Sequence, residues 1–240
     1  DSFTTFTEPW IGRAAVELLE RAGWRVRLQS AGCCGRASIS KGLLEDARAM
    51  AAAMVGRLGP EAERGTPIVG VEPSCLLTLR DEYLTLLPDD RRAEAVAGQA
   101  RLVAGLLVEA IDAGDLVLRA DSPLTGRRIV FHGHCHEKAG VGTEASRALL
   151  ERIPGAEVVE LDAGCCGMAG SFGFEAEHYE VSREVGELRL FPALRDEPPE
   201  TVVAATGVSC RQQIGHFAGR TARHPVVLAA EAAGVFASPA

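Results

Sequence analysis

The pentapeptide AGCCG stands at residues 31–35 and returns at 163–167. Neighbouring cysteines make poor disulfide partners: their Cα atoms sit about 3.8 Å apart across a trans peptide, whereas a relaxed bridge prefers about 5.5 Å. A repeated pair points instead to a ligand that takes two thiols side by side, and to a chain built from two copies of one unit.

The flanks fall on the same frame. Helical patterns precede each pair, IGRAAVELLERAG and TEASRALLERIPG, and each leads into a predicted strand, WRVRLQS and AEVVELD. Beyond each pair lies a further helical stretch, KGLLEDARAMAAAMVGRLG or EAEHYEVSREVGELRLF, then a short apolar strand, PIVGVE or TVVAATG. Each strand runs into a serine–cysteine pair, EPSC ending at Cys75 and GVSC ending at Cys210, and another helix follows. Cys34 to Cys75 is 41 positions and Cys166 to Cys210 is 44. The second copy opens with an additional strand, RRIVFHG, leading to Cys135 in HGHCHEK. The place matching Cys135 in the first copy is Ser2, and the partner of RRIVFHG would precede Asp1. The sequence therefore reads as lacking its first strand and as part of a longer parent.

Strands alternating with helices predict an α/β fold of two pseudo-symmetric repeats with mostly parallel strands. We place the first repeat, with a helical connector, at 1–120 and the second at 127–240. The connector stretch RRAEAVAGQARLVAGLLVEAIDAG has apolar residues at helical spacing.

Every cysteine follows a predicted strand and precedes a helix. Sites in open α/β sheets gather outside the carboxyl ends of strands. Helix N-termini there offer free N–H groups and partial positive charge, which favour the thiolate. The second copy gathers Cys135, Cys165, Cys166 and Cys210, a set suited to an iron–sulfur cluster or a structural zinc. The first gathers Cys33, Cys34 and Cys75, a weaker site with an open position, where Ser2 or Glu72 could add an oxygen. His134 and His136 are candidates to hydrogen-bond or ligate, and His132 reads as structural. Arg36 and Arg211, each directly after a site motif, could balance a cluster's charge. Lys138 and Gln212 stay open between site and surface. The stretch GMAGSFGF at 167–174 reads as a flexible covering over the second site.

Composition narrows the function classes. A net charge of −8 offers no basic face for nucleic acid. No run reaches the roughly 18 apolar residues of a membrane span, which leaves peripheral association compatible with the sequence. No signal peptide is visible. Seven cysteines in a 240-residue chain that is 47% hydrophobic do not resemble a small secreted disulfide scaffold. They imply a reducing, cytoplasmic setting.

The motifs AGCCGRASISKGLL, EPSCLLTLRDEY, HGHCHEKA, DAGCCGMAGSFGF and SCRQQI together resemble the duplicated cysteine-rich (CCG) domain. That domain occurs in the cysteine-rich subunit of heterodisulfide reductase and in the iron–sulfur subunits of glycolate oxidase and glycerol-3-phosphate dehydrogenase. It also forms the C-terminal part of FAD-linked oxidases similar to D-lactate and D-2-hydroxyglutarate dehydrogenases, the group most similar to this chain. The family pattern is one cysteine, then CC, then CxxC in each half, which can hold a non-cubane 4Fe–4S cluster. Here Ser2 stands at the first cysteine of the first half, and Glu72 and Gly207 stand at the first position of the two CxxC motifs. The resemblance thus implies one ordinary four-thiolate 4Fe–4S cluster in the second half. It further implies an electron-transfer role beside flavin and ferredoxin-like domains of the same or a partner chain, with FAD held outside these residues. The electron acceptor is not implied.

Two other readings stay open at the level of residues: a zinc-stabilised structural module, and a metal-free thiol–disulfide module working through the CC pairs.

Overall fold

The structure is a computed structural model that describes residues 1–30 and 32–235. Ala31 of the first AGCCG, and the last five residues assigned to the second repeat, lie outside the described residues.

The first half contains two short parallel strands, β1 (Ile68–Gly70) and β2 (Ala100–Leu102), with Ile68 opposite Ala100 and Gly70 opposite Leu102. The second half contains β3 (Arg128–His132), β4 (Glu157–Glu160), β5 (Val202–Ala205) and β6 (Ala222–Arg223), ordered β4-β3-β5-β6 and parallel throughout. β3 is central. Its residues Ile129, Val130 and Phe131 are completely buried, as expected of a parallel strand covered on both faces.

The halves share local order. β1 and β5 each feed a helix whose third residue is a cysteine: Pro73–Arg80 carries Cys75 and Val208–Ala218 carries Cys210. The helices expected before and after the CC pairs form at Pro9–Arg21, Leu44–Ala62, Glu144–Glu151 and Tyr179–Glu187.

Two expectations need correction. WRVRLQS forms no strand. Its counterpart β4 is held by β3, and among the described residues none occupies the place of β3 in the first half. Without a neighbour to take its N–H and C=O groups, the segment stays wet, and Leu28 is 80% exposed. The connector is helical as expected, but with a strand inside it. It divides into Arg91–Gln99, strand β2 and Val103–Ala113, because residues 100–102 pair with β1 and bury Ala100. Tertiary pairing here overrides a helical apolar spacing.

A helical layer joins the halves. Helix Pro225–Ala232 packs on Pro9–Arg21, and Glu144–Glu151 packs on Val103–Ala113. Their apolar stripes form one core containing Leu18, Leu107, Phe131, Leu149 and Leu228. Two smaller cores lie beneath the thiols: one around Cys34, Val55 and Tyr83, the other around Cys166, Cys210, Phe191 and Ile214.

Candidate metal centre

Three adjacent parallel strands deliver the four thiols of the second half. β3 leads to Cys135, the first residue of helix Cys135–Gly140; β4 leads to the Cys165–Cys166 loop; β5 leads to Cys210. Cys166 and Cys210 are buried, Cys165 is partly covered and Cys135 is exposed. All seven cysteines are free.

The thiols act on one another in sequence. Hydrogen bonds from Cys135 and Cys166, joined by the Gly167 N–H at 3.3 Å, hold Cys165 far below the ordinary thiol range. The thiol of Cys166 holds Cys210 well below it too. Cys135 and Cys166, which give their protons to these bonds, are pushed up. Cys165 and Cys210 are thereby biased towards the thiolate, the form that binds metal.

The CC loop is clamped from behind. Gln213 Nε2 donates to the Cys166 carbonyl at 3.0 Å and to Ser182 Oγ at 2.9 Å, and Ser182 Oγ donates to the Gly167 carbonyl at 2.8 Å. Gly167 has a φ of +93°, and a Cβ there would collide with the Ser182 carbonyl. Glu137, fully buried, ties the Cys135 helix down. It accepts from the His134 N–H, from Ser146 Oγ at 2.6 Å and from Thr206 Oγ1. Burial raises its carboxyl above the ordinary value despite these donors.

His132 differs from its neighbours. It is 1% exposed, and neither ring nitrogen has a hydrogen-bond partner, a condition shared by no other buried side-chain nitrogen or oxygen among the described residues. An unpartnered buried polar group costs about 1–3 kcal/mol, so its presence calls for a reason.

The first half repeats the theme with three thiols. Cys34 is buried, Cys75 half-buried and Cys33 exposed. The Cys75 thiol, with help from the Arg36 N–H and Cys33, lowers Cys34 to about 7 against its burial, while Cys75 itself is pushed up by that bond. Tyr83, completely buried, donates its hydroxyl to the Cys34 carbonyl at 2.9 Å.

Several residues singled out by sequence also make contacts of their own. Glu72 accepts from Ser74 Oγ at 2.7 Å and from the Val208 N–H at 2.9 Å, so it caps the Cys210 helix across the boundary between halves. Arg36 pairs with Glu82. Arg211 holds Glu8 and the carbonyls of Ala205 and Thr206, the latter two at 3.1 and 2.8 Å. Ser2 is exposed on the short helix Ser2–Phe6. His134 caps its own helix by accepting from the His136 N–H at 3.1 Å, its Nδ1 also lies 4.0 Å from Cys135 Sγ, and its ring packs where a Cβ of Gly207 would stand. His136 is half-buried and pushed down to about 4 by burial and by the nearby Arg36. Lys138 donates to the Ala163 carbonyl. Gln212 is exposed, and its neighbour Gln213 does the clamping. The covering stretch contains a 3-10 turn at Phe172–Phe174.

Sequence reading missed Gln213, Tyr83, Glu137 and the site role of His132. Gln213 was findable, since it lies three residues after Cys210 on the same helix face. Glu137 completes a capping box with His134. Tyr83 carries no local signal, and nothing local shows that His132 lacks a partner.

The two thiol groups are neighbours. The Cys75 helix packs on the Cys135 helix, and Lys41 pairs with Glu175 between the loops that follow each CCG. A cleft of ≈ 250 Å³ opens beside Cys165, lined by Gly164, Val185, Leu188 and Arg189. Among the described residues, no three His, Cys, Asp or Glu side chains converge as ligands of one ion must. The donor set, all sulfur, suits soft metal chemistry, a zinc ion or an iron–sulfur cluster.

A family model described as a cysteine-rich domain, CCG, matches residues 3–80 and 129–215. The chain is 30% identical over 232 residues to one subunit of the anaerobic glycerol-3-phosphate dehydrogenase of Escherichia coli (strain K12), covering 96% of this chain and 57% of that protein. It is 32% identical over 227 residues to D-2-hydroxyglutarate dehydrogenase of the same strain, covering 94% of this chain and 21% of that protein. Against lactate utilization protein A of an Exiguobacterium species it is 28% identical over 215 residues, covering 86% and 83%. The chain thus spans just over half of the first relative and a fifth of the second. The chain belongs to the cysteine-rich CCG domain family.

Proposed function

We propose that this member of the cysteine-rich CCG family is an iron–sulfur electron-transfer module of an oxidoreductase that acts on a 2-hydroxy acid. The observation that carries the reading is the delivery of Cys135, Cys165, Cys166 and Cys210 from three adjacent parallel strand ends. Held by those four sulfurs, a 4Fe–4S cluster supplies one-electron storage and transfer. Cys165 and Cys210 already favour the thiolate, and Cys135 and Cys166 give up their protons on metal binding. Gln213 and Ser182 fix the CC loop so that its two sulfurs keep one orientation. Burial of Cys166 and Cys210 excludes water from one side, while Cys135 and the cleft beside Cys165 leave an edge for electron exchange.

Two relatives favour the substrate class. They are named for 2-hydroxy acids, D-2-hydroxyglutarate and lactate. The flavin and the donor to this module belong to other parts of the parent enzyme, in a compartment reducing enough to keep the thiols free. The first group, Cys33, Cys34 and Cys75, is a weaker second site.

The test is anaerobic purification with iron, sulfide and zinc analysis and a visible spectrum. We expect about four irons and four sulfides per chain with broad visible absorption. A colourless protein with stoichiometric zinc, or with no metal, overturns the reading.

A further inference from the structure

The orphaned imidazole of His132 stands at the strand end between the two connections that carry Cys165 and Cys210. β3 runs between β4, which leads to Cys165, and β5, which leads to Cys210, and His132 is its last residue, paired in register with Ala205. Val130, two residues earlier on the same face of β3, packs in the core that holds Cys166 and Cys210, so the His132 ring faces the thiol side of the sheet. The other buried polar side chains around the site have partners: Glu137 takes Ser146 and Thr206, Gln213 takes Cys166 and Ser182, and His134 takes the His136 N–H. Among the described residues only His132, buried at the strand end, has none.

We infer that His132 is a positioning residue whose ring N–H donates a hydrogen bond to the sulfur of Cys210 when that sulfur carries a cluster. This rests on the reading of the second thiol set as a cluster site. A buried donor with no partner of its own is free to meet a sulfur whose electron density rises when the cluster is reduced. Hydrogen bonds to cluster sulfurs favour the reduced state and raise the potential. Four cysteines already complete the ligand set, so the imidazole is not needed on iron.

The experiment compares the anaerobically prepared chain with His132→Gln, which retains an N–H donor, and His132→Leu, which does not. Iron content, midpoint potential and electron spin-echo coupling to 15N-labelled histidine are measured. The wild type, which needs no substitution, should show weak nitrogen coupling. His132→Leu should lose it and shift to a more negative potential at unchanged iron content, and His132→Gln should recover part of the shift. An unchanged potential in His132→Leu, absence of histidine coupling in the wild type, or the strong coupling of a direct iron ligand each overturns the inference while leaving the cluster in place. A wild-type chain without iron or sulfide removes the cluster reading itself, and this inference with it.

Discussion

Tyr83 donates its hydroxyl to the carbonyl of Cys34 at 2.9 Å, fastening the first CC pair from below. Gln213 does the same to Cys166, at 3.0 Å, in the second half. Different side chains, at different distances from the serine–cysteine pair, thus restrain equivalent carbonyls. The shared requirement is physical: a vicinal pair presents both sulfurs on one side only while its peptide plane is held still.

Replacing Tyr83 by Phe removes the donor and leaves a buried carbonyl unpartnered. The expected loss of stability is about 1–3 kcal/mol in anaerobic urea unfolding. A change indistinguishable from zero would mean that the Cys34 carbonyl finds another donor and that the clamp is dispensable.

Glu72 separates structural from ligand roles. Its carboxylate joins the halves through the Val208 N–H. Glu72→Ala should therefore destabilise the chain by about 1–3 kcal/mol by uncapping a buried helix end. Glu72→Gln, which keeps an acceptor, should leave metal content unchanged. Iron lost in proportion to the removed charge would make Glu72 a ligand after all.

The four-thiol and three-thiol groups should differ in metal retention. Cys165→Ser removes the sulfur that accepts bonds from two other thiols, and we expect most of the iron to be lost. Cys33→Ser, at an exposed position of the incomplete set, should retain most of it. Equal losses in the two variants would show that each half binds metal with similar strength.

His224 makes stability depend on pH. It is buried, hydrogen-bonded to the Val71 carbonyl at 3.0 Å and to the Val226 N–H at 3.1 Å, and burial with the nearby Arg211 pushes it down to about 3. The folded chain keeps the ring neutral, while the unfolded chain binds a proton below about pH 6.5. This contribution is therefore fully present above about pH 6.5 and is lost as pH falls toward 3, by at most about 1.4 kcal/mol per pH unit. Unfolding free energies at several pH values should show a steeper acid slope for the wild type than for His224→Gln. Parallel slopes would refute it.

The sequence alone determined the duplication, the alternation of strands and helices, and the placement of each thiol just before or within a helix start. These are local properties. Period and turn chemistry record which face of a segment is buried, and vicinal cysteines before a glycine record a loop that faces a ligand. Tertiary structure alone decided the rest. WRVRLQS has the composition of a strand but no neighbour to pair with, and residues 100–102 have a helical spacing but a neighbour that captures them. Glu72 looked like a spare ligand beside Cys75 until docking of the halves brought the Val208 N–H to it, 136 residues away. His132 looked like one more buried strand residue until every polar neighbour proved to be satisfied by another group. A hydrogen bond is specified by where two distant segments meet in space, and a residue's own neighbours in the chain carry no record of that meeting.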